Sequence, residues 1–137
     1  MKIAIDLRPL QIGHQNRGIG AYLQNILTYF PADNSIEYIF LRYKDSDPVS
    51  EFGISNGRKY REIVYSRYKF QPNPKSALLF LWGLVIPIYI RLLPYRPDIF
   101  FQPDYLLGIP NKLYAKKTVV TCYDLIPLKF PAMYLSL

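Results

Sequence analysis

Tyr123 and Asp124 place a phenol beside a carboxylate, directly after the apolar, β-branched run from Thr118 to Cys122. A run of that kind, without polar alternation, reads as a strand buried on both faces of a parallel sheet. Ligands collect outside the carboxyl ends of strands in open α/β sheets, so Tyr123 and Asp124 are candidate catalytic residues by position. Asp124 could equally cap a turn, because Asp is a common turn residue and Pro127 and Pro131 stop regular structure.

A second candidate lies near the amino end. Lys2 to Leu7 reads as a strand ending at Pro9, followed by a loop and then Arg17-Gly18-Ile19-Gly20 at the start of a helical pattern. A strand, a glycine loop and a helix in succession aim backbone N–H groups at an incoming phosphate or carboxylate, and glycines let that ligand come close. The spacing is not a dinucleotide fingerprint, since Leu23 stands where a third glycine would, and no P-loop Lys-Ser/Thr follows. A plain tight turn is the other reading. His14, in the same loop, reads as an ordinary side chain, with nothing nearby in sequence to orient it as a base.

These residues need elements to hold them. Ile19, Tyr22, Leu23, Ile26, Leu27 and Phe30 recur at spacings of three and four, predicting an amphipathic helix ended by Pro31. Glu37–Tyr43 predicts a second strand and Glu62–Ser66 a third, joined by a polar connection from Lys44 to Lys59. Ser76–Leu93 predicts a helix apolar nearly all round, kinked at Pro87. Asp98–Phe101 predicts a fourth strand, with Gln102, Asp104 and Tyr105 in its carboxyl-end loop. The alternation predicts one α/β domain, a Rossmann-like, mostly parallel sheet with helices on both faces. Three strand ends, Arg8–Gly20, Gln102–Tyr105 and Tyr123–Asp124, then converge on one edge and one cleft.

Composition narrows the chemistry. The net charge of +7 calls for an anionic neighbour. Arg58, Lys59, Arg61, Arg67, Lys69 and Lys75 are interleaved with Tyr60, Tyr65, Tyr68 and Phe70, a mixture that suits a lipid headgroup region, a single-stranded nucleic acid or simply a solvated loop. No motif of the usual RNA-binding modules is present, so nucleic acid is not expected as a partner. One Cys, placed by this reading inside the buried strand, and one His exclude an intrachain disulfide and a structural zinc site. No signal peptide is read at the amino end. The longest apolar run, Ala77–Ile90, is shorter than the roughly 20 residues of a bilayer span. A cytoplasmic protein, with peripheral contact at the inner face of the plasma membrane, is the expectation.

Four blocks, Lys2-Ile-Ala-Ile-Asp-Leu-Arg-Pro-Leu, Arg17-Gly-Ile-Gly-Ala-Tyr-Leu-Gln-Asn-Ile, Arg96-Pro-Asp-Ile-Phe-Phe-Gln-Pro-Asp-Tyr-Leu-Leu and Val119-Val-Thr-Cys-Tyr-Asp-Leu-Ile-Pro-Leu-Lys-Phe-Pro, together resemble the amino-terminal half of bacterial family 4 glycosyltransferases. Among these, the chain looks most like polysaccharide and O-antigen mannosyltransferases. The resemblance implies part of the acceptor-side domain of a GT-B enzyme, which transfers a sugar from a nucleotide donor with retention and without a metal or other cofactor. It implies that Arg17, Gly18 and Gly20 approach the donor's phosphates and sugar, and that Gln102, Asp104 and Tyr105 lie on the acceptor side. Tyr123-Asp124 matches a block that ends in His-Asp in many members. Here a phenol replaces the imidazole, and it can still donate a hydrogen bond to a sugar hydroxyl. The family's nucleotide pocket and paired glutamates belong to a further domain absent from these residues, so the isolated chain is expected to be inactive and to need a partner chain. Three expectations follow: a split or remnant transferase; a non-catalytic binding module of the same fold that meets a partner protein or an anionic membrane; and self-association through exposed apolar surface.

Overall fold

Five short runs of branched and aromatic residues pair side by side because their backbone groups have no partners within the strand, and their side chains fit a pleated, covered surface. The computed structural model describes residues 1–11, 17–44, 48–54, 57–65, 92–103, 114–123 and 129. Its strands are β1 (Lys2–Asp6), β2 (Glu37–Tyr43), β3 (Lys59–Tyr65), β4 (Ile99–Gln102) and β5 (Lys117–Val120), and helix α1 spans Gly18–Thr28. All pairings are parallel, in the order β3-β2-β1-β4-β5. This is a Rossmann-like α/β sheet. The chain winds outward from β1 to β3, then returns to the other side of β1 for β4 and β5. The strand order therefore reverses between β1 and β4, the point at whose carboxyl ends open α/β sheets form a ligand crevice.

Alternation divides the strands between two faces. Ile5, Tyr38, Phe40 and Phe101 form one core with Leu23 and Leu27 of α1, all buried. Ala4, Ile39, Leu41, Ile63 and Phe100 point the other way and are covered by Leu92, Tyr114 and Ala115. Both faces are thus packed, as a parallel sheet requires. Burying each Leu of α1 contributes about 1.5–3 kcal/mol, so tertiary packing rather than helix propensity holds this short helix.

The end of α1 is fixed by an unexpected residue. Arg58 reaches back from the start of β3 and donates to the Phe30 carbonyl at 2.6 and 3.1 Å, to the Thr28 carbonyl at 3.1 Å and to the Ile54 carbonyl. It satisfies acceptors that a helix leaves open at its carboxyl end and places a cation at the negative end of the dipole. Arg61 pairs with Glu37 at 2.5 Å, and Tyr60 packs on Phe40. The first part of the basic and aromatic stretch is therefore structural. Its continuation from Arg67 to Lys75 lies outside the described residues.

Other boundaries differ from expectation for identifiable reasons. The third strand begins at Lys59 rather than Glu62, because seven consecutive register pairs with β2 outweigh its polar composition. The polar connection before it hides a short 3-10 turn, Val49–Phe52, whose Val49 is buried along with Ile54 beyond it. The last strand among the described residues is β5, an edge strand that stops at Val120, with Val119 49% exposed. The expectation of a doubly buried strand through Cys122 is corrected accordingly, and Cys122 is exposed. Apolar composition without alternation marks a strand, but it cannot tell a central strand from an edge. Of the apolar helix expected over 76–93, only Leu92 and Leu93 fall among the described residues.

At the amino edge, Asp98 binds three strands together. It accepts the Lys2 N–H at 2.9 Å and Lys116 Nζ at 2.6 Å. Lys116 and this N–H hold the Asp98 carboxyl below its ordinary value, as Arg61 does for Glu37. A carboxylate whose folded pKa is depressed contributes stability that is present above its unfolded value and lost as pH falls through the folded one. The fold is therefore expected to lose stability as pH drops below the ordinary values of 4.5 for Glu37 and 3.8 for Asp98. Asp98→Asn should flatten that decline in urea titrations at successive pH values. An unchanged slope would remove Asp98 from the account.

Just before β4, the Arg96 N–H closes on the Leu92 carbonyl at 3.1 Å, and Arg96 takes a left-handed φ of 45°. This is the geometry of a helix carboxyl cap, a place usually given to Gly. A residue with a Cβ there costs about 1 kcal/mol.

Candidate functional site

The crevice at the carboxyl edge is built on a buried ion pair. Asp6, the last residue of β1, is fully buried and Arg8 is 2% exposed. Arg8 Nε lies 2.9 Å from both carboxylate oxygens, Nη2 lies 2.5 Å from Oδ2, and the Arg8 N–H donates to Oδ1 at 3.0 Å. The pair locks the chain as it leaves β1 into the 3-10 turn Arg8–Leu10. Gln11 then accepts the Tyr43 N–H at 2.8 Å, tying the start of the loop to the end of β2. One register step beyond Ile5 and Phe101, Asp6 faces Gln102, which is 1% exposed. Tyr114 lies on the same face, its ring edge-on to Phe100 at 4.9 Å. Burial pushes its phenol up to about 12, with Arg8 pulling down and Asp6 pushing up. The floor of the crevice is thus polar, with Asp6 and Arg8 paired to each other.

Above it stands the first turn of α1. Arg17 is the exposed, extended residue before the helix, and its side chain makes no cap. No acidic residue lies in the first turn, so the positive end of the helix is not neutralised from within α1. A Cβ built on Gly18 meets nothing within 4 Å, whereas Gly20 is buried. Gly18 therefore has open space over its backbone, and packing does not explain its lack of a side chain.

One turn on, Tyr22 joins α1 to the end of β5. Its ring meets Tyr123 edge-on at 5.5 Å, and its hydroxyl lies 3.5 Å from Thr121 Oγ1. The Thr121 N–H donates to the Gln102 carbonyl at 3.0 Å, which continues the link to β4. Contacts thus join α1, through Tyr22, to Thr121 and Tyr123 after β5, and Thr121 to Gln102 of β4; Arg17 precedes α1, and Gly18 and Gly20 lie in its first turn. Asp104, Tyr105, Asp124 and His14 lie outside the described residues.

Two groups were not visible as site residues in the sequence. Tyr22 falls on the apolar spacing of α1 and reads as core, but it is 37% exposed and faces Tyr123. The Asp6–Arg8 pairing had only its two-residue spacing as a signal, which is too common to single out.

Phosphate or another anion suits this arrangement, with N–H groups and a cation at the amino end of α1, and phenols beside them for hydroxyl-bearing groups. No group of His, Cys, Asp or Glu that could hold a metal occurs among the described residues. No helix among them is long and apolar enough to cross a membrane. No protein-family profile, curated protein or solved structure matches the chain.

Proposed function

We propose that this chain is the acceptor-side part of a retaining glycosyltransferase that moves a sugar from a nucleotide-sugar to a polysaccharide or lipid-linked acceptor, acting with a separate nucleotide-binding domain. The observation that carries the reading is the contact of Tyr22, one turn from the open Gly18 at the α1 amino end, with Tyr123 after β5, in a sheet whose strand order reverses between β1 and β4. Crevices at such points receive ligands in open α/β sheets. The four sequence blocks that resemble family 4 enzymes supply the class of substrate.

In this reading the Gly18–Gly20 N–H groups and Arg17 stabilise the diphosphate as the sugar–phosphate bond breaks, when negative charge grows on the leaving oxygen. The Tyr123 phenol, braced by Tyr22, donates to a hydroxyl of the transferred sugar. No metal is called for, because the departing charge is met by backbone dipoles and cations. The work takes place at the cytoplasmic face of a membrane that holds the acceptor.

Gly18→Ala tests the assignment, because structure and function pull it in opposite directions. Its space is open, so Ala stabilises the helix by about 0.5 kcal/mol or leaves it unchanged. The added methyl stands between the N–H groups and the diphosphate. Sugar transfer, measured with a nucleotide-sugar panel and a lipid-linked acceptor after the chain is joined to a nucleotide-binding domain, should fall about ten-fold or more. Full turnover in the Ala variant would contradict the role of Gly18, and absence of transfer by the assembled wild type would contradict the reading itself.

A further inference from the structure

A cavity of about 300 Å³ opens at the opposite, amino edge of the sheet, beside the starts of β4 and β5. Its walls are Leu92, Leu93, Pro97, Tyr114 and Ala115, and its charged lining residues are Arg96 and Lys116. The volume is at the small end of the range for ligand sites, which are apolar hollows with a few placed polar groups. Nearby, Lys2 Nζ donates to the Tyr95 carbonyl at 3.1 Å and the Lys117 backbone N–H to the Asp98 carbonyl at 3.0 Å. Asp98, the carboxylate beside these cations, is already engaged by Lys116 and by the Lys2 N–H. The Arg96 guanidinium makes no hydrogen bond or ion pair among the described residues.

Arg96 is also the residue whose backbone is left-handed. Glycine would close this cap without strain, so the cap itself does not call for an arginine. Strained backbone at a non-glycine residue is a pointer to function when the side chain has something to do. Here the side chain carries the open cation of an apolar hollow. We infer that the cavity is a binding site for a small amphiphile with one anionic head, held by Arg96 and Lys116, and an apolar body lying on Leu92, Leu93 and Pro97. Charge complementarity selects the head, and the cavity volume limits the body to a short chain. The cavity shares Tyr114 with the floor of the carboxyl-edge crevice, but its charged lining residues, Arg96 and Lys116, lie before β4 and β5 at the amino edge, and this inference does not depend on the transferase reading.

Isothermal titration of the full chain with octanoate, octyl phosphate, octanol and acetate tests the inference. Octanoate or octyl phosphate should bind at millimolar concentration or below, with the stronger of the two identifying the head as carboxylate or phosphate. Octanol should bind at least about ten-fold more weakly, because a charge-assisted contact is lost, and acetate should show no binding. Arg96→Gly should lose binding by about ten-fold or more while its melting temperature stays level or rises. Should that variant fail to fold, Arg96→Asn, which also tolerates the left-handed backbone, gives the same readout. Lys44→Ala, an exposed cation at the end of β2, should bind as the wild type does. Equal binding of octanol and octanoate, no binding of either anion, unchanged binding after loss of Arg96, or equal loss in Lys44→Ala would each overturn the inference.

Discussion

Arg8→Met is expected to lower stability by about 3–5 kcal/mol, read as a fall in the urea midpoint, although methionine keeps most of the apolar stem. The reason is what remains. Asp6 is fully buried and takes its charged contacts from Arg8, so removing the guanidinium leaves a carboxylate with little access to water. A loss of that size is a large share of the 5–15 kcal/mol that typically holds a domain together. The pair itself is not expected to be a large net source of stability, because desolvating two charges offsets much of their attraction. The double variant Asp6→Leu with Arg8→Met should therefore recover about half or more of the loss. The recovered protein should hold the turn after β1 less firmly, since the Arg8 N–H loses its acceptor at 3.0 Å. A single variant as stable as wild type would mean that the pair is not buried as described.

The second large effect lies in the core beneath α1. Phe40→Ala is expected to cost about 3–5 kcal/mol. Phe40 is 1% exposed, stacked on Tyr38 with ring centroids 6.0 Å apart and tilted against Tyr60 at 5.8 Å. Truncation removes both ring contacts and leaves a cavity that strands on either side of β2 cannot close by shifting. Val64→Ala, on the edge strand β3 and 40% exposed, is expected to change stability by less than about 1 kcal/mol. Midpoints of chemical unfolding for the two variants separate these values easily. Similar losses at both positions would deny that the core is centred on β1 and β2.

The sheet was legible because its information is local. Glu37–Tyr43 is rich in branched and aromatic residues, and Pro9 and Pro31 mark where β1 and α1 must have ended, so type and order could be read directly. What was illegible is relational. Arg58 reads as one more cation in a basic run until the folded chain carries it to the Phe30 carbonyl, 28 residues away. Tyr22 reads as core until the end of β5 is seen beside it. Cys122 reads as buried because composition does not reveal that β5 lies at the edge. That the carboxyl ends of β1, β4 and β5 share one edge of the sheet was legible, and this followed from alternation alone. Its polar floor, the Asp6–Arg8 pair facing Gln102, depends on register and could not be read without it.

Backbone amide shifts of the labelled chain, followed by NMR during titration with a panel of nucleotide-sugars, test the central claim most directly. The account expects a saturable response, even at millimolar affinity, that is concentrated at Arg17, Gly18, Ile19 and Gly20 and extends to Gln102 and Thr121–Tyr123. It also expects the response to shrink when the diphosphate is removed from the ligand. No response from any member of the panel, or shifts confined to other parts of the sheet, would contradict a sugar-donor site at the carboxyl edge.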